Sequence, residues 1–288
     1  MNPFEKRSGR MAFAAVLPMY TFTFFFILGP LIYMLALSFM QREGAWGVSA
    51  DWTIANYIKI LNPLYISIFW SSLKLALIST VFAVLIGYPF GYYMSKLSPK
   101  WRNAAMIFLI IPFWTNALIR LYGWMIVFRA NGILDKILMK LGFTQEPLRL
   151  LYSYPAVVVG MIYILVPFVI YAVYASAEKL DWKLIEAARD LGASHFCAFK
   201  SITLPLTMPG IFSGVILTFV PSMGLYFIAE ILGGSKVVLI GNLVEEELMK
   251  AHDWPFAAAL SVGLLLLTSF FLFAYKKLTK SAALEGLV

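Results

Sequence analysis

The chain has little charge and almost no cysteine or histidine. Only 13% of its 288 residues are Asp, Glu, Lys or Arg, where a soluble domain has about 25%. With 61% hydrophobic residues, it cannot present a wettable exterior, which excludes a soluble globular fold. The single cysteine, Cys197, excludes an internal disulfide and argues against a cysteine-based metal centre. His195 and His252 stand apart, outside any metal-ligand spacing, and no cofactor is implied. A glycine-rich phosphate loop followed by Lys-Ser/Thr is missing, so the chain is not itself an ATPase. A Gly-x-Ser-x-Gly elbow is also missing, as are paired Asp, His or Ser-Lys groups inside the apolar runs, so an intramembrane enzyme would lack its chemistry. Strands of alternating polarity are absent, which excludes a membrane barrel. There is no repeat of fixed period, and no soluble stretch large enough to fold alone.

What is present is a series of apolar runs. Residues 11–40, 75–95, 150–177, 201–229 and 254–275 carry no charge, and 103–128 is interrupted only by Arg120. A helix needs about 20 residues to cross a hydrocarbon layer of about 30 Å. Helices satisfy their own backbone polar groups in lipid. Six membrane helices are predicted. The first run follows Lys6, Arg7 and Arg10 and is far longer than a signal-peptide core of about 7–15 residues, so it reads as a retained signal-anchor.

The net charge of +8 could suggest nucleic acid, but its placement describes topology instead. Thirteen of the 23 basic residues fall in the two termini and in the short connections around 96–102 and 179–200. The longer opposite connections hold Glu43, Asp51, Asp135, Glu146, Glu230, Glu245, Glu246, Glu247 and Asp253. The positive-inside rule puts the basic side, with both termini, in the cytoplasm. Residues 131–142 read as an amphipathic helix along the outer interface, with Asp135, Lys136 and Lys140 on its polar face. Pro89, Pro112, Pro167 and Pro221 lie deep in successive spans and should bend them.

The last cytoplasmic connection is the most informative. Asp181 is a suitable N-cap for a helix over 182–191, with Leu180 and Ile185 at its staple positions. Leu184, Ile185, Ala188 and Leu191 line one face; Lys183, Glu186, Arg189 and Asp190 line the other. Gly192 is placed to end the helix in a left-handed turn. Ser194 can cap a second short helix through Lys200, and Pro205 closes the unit before the fifth span. The charges are balanced, which suits a protein groove better than a lipid surface.

Glu186-Ala187-Ala188-Arg189-Asp190, then Gly192, then Ile202-x-Leu204-Pro205 resembles the coupling-loop motif of the permease subunits of bacterial ABC importers, with its spacing intact. The resemblance runs roughly from residue 66 to 275. It implies an all-α integral membrane protein with the type I ABC importer permease fold: six transmembrane helices, both termini inside, in the bacterial inner membrane. It implies residues 1–65 as a first helix and periplasmic segment, 66–276 as the permease core with its coupling loop at 178–205, and 277–288 as a cytoplasmic tail. The stretch from Pro112 to Arg120, Tyr122-Gly123-Trp124, and Asp253-Trp254-Pro255-Phe256 resemble the polyamine branch of the family. The partners so implied are a second homologous permease subunit, a pair of ATP-binding subunits and a periplasmic polyamine-binding protein.

A path for a polycation needs carboxylates for its ammonium groups and aromatic faces for the rest. Phe219, Ser222, Met223, Tyr226 and Glu230 are the path candidates. Arg120 reads as structural or gating rather than as a cargo ligand, either snorkelling outward or pairing with an acid. Asn116 could satisfy a kinked backbone beside Pro112. The run Glu245–Glu247 reads as a solvated edge facing the external protein. Another small amine or organic cation as cargo, and an ATP-independent transporter or channel, stay open from the residues alone.

Overall fold

The computed structural model describes residues 16–285, excepting the side chains of 235 and 278–285. The basic cluster Lys6, Arg7 and Arg10, residues 11–15 of the first run, the side chain of Lys280 and the tail end at 286–288 lie outside the described residues.

Helix α1 (Val16–Ser38) contains a π-turn at Phe24–Leu28, where the Gly29 amide donates to the Phe24 carbonyl. The turn ends two residues before Pro30, whose missing amide it absorbs. A short pair of antiparallel strands follows, β1 (Gln41–Glu43) and β2 (Gly47–Ser49), which the apolar-run pattern does not foretell. Then come α2 (Ala55–Ile60), α3 (Pro63–Lys96), α4 (Pro99–Ile110), α5 (Ala117–Phe128), α6 (Ile133–Lys140), α7 (Tyr154–Ala177), α8 (Trp182–Asp190), α9 (His195–Gly224), α10 (Ile240–Met249) and α11 (Trp254–Glu285). Helix α11 runs on through most of the segment expected as a tail.

Among the described residues six stretches meet the length and hydropathy needed to cross a membrane, five of them around α1, α3, α7, α9 and α11 and the third over Ala117–Lys140, which takes in both α5 and α6. The third differs from expectation. Residues 103–128 are not one helix: α4 passes into a 3-10 turn at Ile111–Trp114, Thr115 is extended, and Asn116 caps α5 by accepting from the Leu118 amide at 2.8 Å. Pro112 in the tight turn is the cause. At 12 residues, α5 reaches only about 18 Å. It cannot cross the hydrocarbon layer without α4. Nor does α6 extend it, because Arg129 is extended (φ −61°, ψ 146°).

The described residues divide into two compact units, 16–63 with 244–266, and 64–243 with 267–285. In the second unit α7 is the most enclosed span. Val157, Met161, Leu165, Val169 and Val173 are each 0–1% exposed. Glycines bring its neighbours close, as small residues do where lipid supplies no hydrophobic drive between helices. A Cβ on Gly91 of α3 would sit 2.7 Å from the Ile170 carbonyl oxygen, and one on Gly210 of α9 2.6 Å from the Ser176 Cβ. Leu121 of α5, and Ile228 and Leu232 beyond α9, close the same core.

Asp135 corrects the expected polar face of α6. It is 3% exposed and accepts from the amides of Asn131 (2.9 Å) and Leu148 (3.2 Å), so it ties the loop back on the helix. Two backbone donors satisfy the buried carboxylate.

In the first unit, Asn56 donates to the Ser38 and Met40 carbonyls, and Trp46 on the strand turn stacks on His252 at 3.8 Å. The motif Asp253-Trp254-Pro255-Phe256 acts as a helix start. Asp253 accepts from the Phe256 amide at 3.1 Å and pairs with Lys59 at 3.4 Å, while the Lys59 ammonium lies 3.5 Å over the fully buried Phe256 ring. Asp253→Asn keeps a capping oxygen and loses the pair; Asp253→Ala loses both. Thermal melts in detergent should show a loss of about 1 kcal/mol or less for the first and about 1–3 kcal/mol for the second.

Glu245 and Glu247 are half-buried, so the acidic run is a solvated edge only at Glu246. Burial, then the charges of Asp253 and Glu246, push the Glu247 carboxyl above the usual carboxylate range; Lys59 and Arg42 oppose the shift. Its folded pKa therefore exceeds its unfolded one. In the interval between them the folded chain binds more protons, so stability should rise as pH falls through the raised value. Comparing melting temperatures across mildly acidic pH checks this: Glu247→Gln should flatten the slope.

Candidate functional site

Helix α8 forms as its sequence directs. Asp181 accepts from the Lys183 amide at 3.1 Å. At the other end Gly192 takes φ +90°, its amide donates to the Arg189 carbonyl at 2.9 Å, and the Ala193 amide donates to Ala188 at 3.0 Å. This paired closure needs a left-handed residue, which glycine supplies without Cβ strain. Ser194 then accepts from the Cys197 amide at 3.2 Å. Glu186, Arg189 and Asp190 line a shallow polar hollow with Gly192 and His195.

Two expectations are corrected here. The second helix does not stop near Lys200. It continues as α9 through a π-turn at Phe199–Thr203, and Pro205 lies in the first turn after it rather than closing the unit. The Leu204 amide donates to Phe199, five residues back, so the wider turn accommodates the proline as it does before Pro30. Ile202 and Leu204 thus ride on the continuous helix that becomes the fifth span. The apolar face of α8 is also divided. Ile185 and Ala188 are half-buried, whereas Leu184 (48%), Leu191 (90%) and Phe196 (74%) are exposed, with Ala187 beside them. Helix α8 buries no residue. These exposed apolar side chains lie close in sequence to the exposed Glu186, Arg189 and Asp190.

Side chains that sequence inspection passes over hold this element in place. Trp182 packs on Tyr92 of α3 at 5.9 Å, and Tyr92 meets Phe199 at 6.2 Å. Arg102 pairs with Glu178 at 3.1 Å, joining the start of α4 to the end of α7. Nothing local signals either contact, since the partners lie far apart in sequence.

The path candidates fall into two groups. Phe219 (6%), Ser222 (1%) and Met223 (1%) are buried, with Phe219 against Phe271 at 5.7 Å and the Ser222 hydroxyl donating to the Phe219 carbonyl. Helix α9 ends at Gly224, where Leu225 leaves helical conformation. Beyond that break Tyr226 is half-buried and its carbonyl accepts from Asn242, while Glu230 is exposed on a π-turn at Ala229–Gly233. Arg120 neither pairs with an acid among the described residues nor stands free. Its guanidinium lies 5.5 Å from the Phe113 ring and 5.6 Å from Tyr163.

A family described as "binding-protein-dependent transport system inner membrane component" matches residues 83–281, which hold the whole α8–α9 element. The chain belongs to this family. It is therefore a multi-pass inner-membrane protein and a component of a binding-protein-dependent transport system. Among individual proteins, the spermidine/putrescine transport system permease protein PotB of Haemophilus influenzae is 42% identical over 91% of either chain. The protein of the same name from Escherichia coli K12 is 41% identical, over 90% of this chain and 96% of that one. Among solved structures, a chain of a bacterial alginate ABC transporter superposes with TM-score 0.78 at 15% identity, covering 97% of both chains. A chain of the MetNI methionine ABC transporter gives 0.58 at 19% identity, over 75% of this chain and 95% of that one. At such identities these two show a shared fold, that of ABC importer permeases.

Proposed function

We propose that the chain is a permease subunit of an ATP-driven polyamine importer, carrying spermidine and putrescine across the inner membrane. Identity of 41–42% to spermidine/putrescine permeases over nearly the whole chain carries the reading. The coupling-loop geometry supports it. A second homologous permease subunit completes the path, a pair of ATP-binding subunits drives it, and a periplasmic polyamine-binding protein delivers cargo. Glu186, Ala187, Ala188, Arg189, Asp190 and Gly192 form the seat for the ATP-binding subunit. Ile202, Leu204 and Pro205 carry its movement into α9 as the nucleotide-bound pair closes.

On the opposite side, Glu230 offers a carboxylate to an ammonium group, and Tyr226 an aromatic face for the methylene stem and charge. Phe219, Ser222 and Met223 reach the path only in a conformation that opens the Phe219–Phe271 contact. The test is uptake of labelled spermidine and putrescine by cells lacking their own polyamine importers and supplied with the complete system. Saturable, ATP-dependent uptake that unlabelled polyamines suppress is expected. Uptake suppressed instead by another amine would reassign the cargo, and uptake by this chain without ATP-binding subunits would overturn the class.

A further inference from the structure

A groove that the transport reading leaves unused lies between the last turns of α3 and the second half of α4. Met94 and Ile170 form its floor at 4% and 5% exposure. Phe90 and Tyr93 wall one side, Ala105 and Phe108 the other, around a volume of about 380 Å³ with an apolar lining. Phe90, Tyr93 and Phe108 are 64%, 65% and 79% exposed, so the groove opens outward from the helices.

Its mouth is basic. Lys96 ends α3 and Lys100 lies in the first turn of α4. Both are exposed, and neither forms an ion pair among the described residues; the neighbouring Arg102 is taken by Glu178. The Lys96 ammonium lies 4.3 Å from the Tyr92 ring, 5.0 Å from that of Trp182 and 5.9 Å from that of the wall residue Tyr93. Trp101, one turn before Ala105 on the same side of α4, is 66% exposed, and indoles of this kind favour a bilayer boundary.

We propose that this groove seats an acyl chain of one anionic phospholipid of the inner leaflet, whose phosphate lies against Lys96 and Lys100. An apolar slot beside two cations that no carboxylate among the described residues neutralises matches both halves of such a lipid. A zwitterionic lipid could fill the slot but would gain little from the lysines. A protein partner would have to bring carboxylates to two ammonium groups at the water boundary while filling a slot whose lining is almost wholly apolar. The inference does not depend on the cargo.

The test uses the complex purified in mild detergent, exchanged against equal phosphatidylglycerol and phosphatidylethanolamine, with bound lipid read by native mass spectrometry. One retained phosphatidylglycerol per copy of this chain is expected. Ala105→Trp, which fills the slot, should abolish that retention. The surface double variant Lys96→Gln/Lys100→Gln, which removes both charges and leaves the lining of the slot unaltered, should lower the preference for phosphatidylglycerol roughly thirtyfold, about fivefold per charge. Equal retention of the two lipids by the unaltered complex, or an unchanged preference in the lysine variant, would overturn the proposal. So would a photo-cross-linker at position 108 that captures another subunit instead of lipid.

Discussion

Leu191→Asp should lower polyamine uptake at least tenfold while leaving the amount of chain in the membrane unchanged. Leu191 is 90% exposed and touches no core, so its loss costs the fold little. In the proposed complex it is buried against the ATP-binding subunit. Burying a leucine contributes about 1.5–3 kcal/mol, and placing a carboxylate there adds a desolvation penalty. A loss of 1.4 kcal/mol is already about tenfold in affinity. Phe196→Ser should act in the same direction. Gly192→Val should also weaken coupling, by a different route. A Cβ there meets nothing within 4 Å, but φ +90° disfavours any branched side chain, so the turn that presents Leu191 would shift. Co-purification of the ATP-binding subunit with each variant, beside uptake, checks the three. Normal co-purification and normal uptake in Leu191→Asp would remove the proposed seat.

Gly210→Val should largely remove folded protein from the membrane. Its Cβ would lie 2.6 Å from the Ser176 Cβ, 2.7 Å from the Ala172 carbonyl oxygen and 3.0 Å from the Val173 Cα. Two of these are backbone atoms of α7, which cannot yield by rotating a side chain. Overpacking a tight core costs about 1–3 kcal/mol where neighbours can adjust. Here the α7–α9 contact itself must open, so the cost lies at or beyond the upper end. Gly123→Ala is the control, because a Cβ there meets nothing within 4 Å. Quantifying detergent-soluble, monodisperse chain for both variants separates close packing from a general intolerance of changes at glycine.

The coupling element was readable in the sequence because its instructions are local. Asp181 caps two residues on, Gly192 closes a turn over four residues, and Ser194 caps three residues on. Which side of α8 stays exposed was not readable. Leu184 and Ile185 are equally apolar neighbours, yet one is exposed and the other half-buried. Only the packing of α8 on the rest of its unit separates them. Asp135 was misread for a related reason: in an amphipathic pattern an acid belongs to the polar face, and only the returning Leu148 amide turns it inward. The broken third span left a trace in Pro112 and Asn116, but the apolar run masks it, since hydropathy does not register backbone direction.

The sequence by itself determined that this chain lives in lipid, which side of it is basic, and where the short helix before the fifth span begins and ends. Hydropathy, charge asymmetry and capping act through neighbours in the chain, so they need no fold to be read. The tertiary structure alone decided that α7 lies between α3 and α9 at glycine contacts, that Phe219, Ser222 and Met223 face inward while Glu230 does not, and that Leu191 and Phe196 remain uncovered. Burial and close approach are set by residues far apart in sequence, and no local pattern encodes that distance.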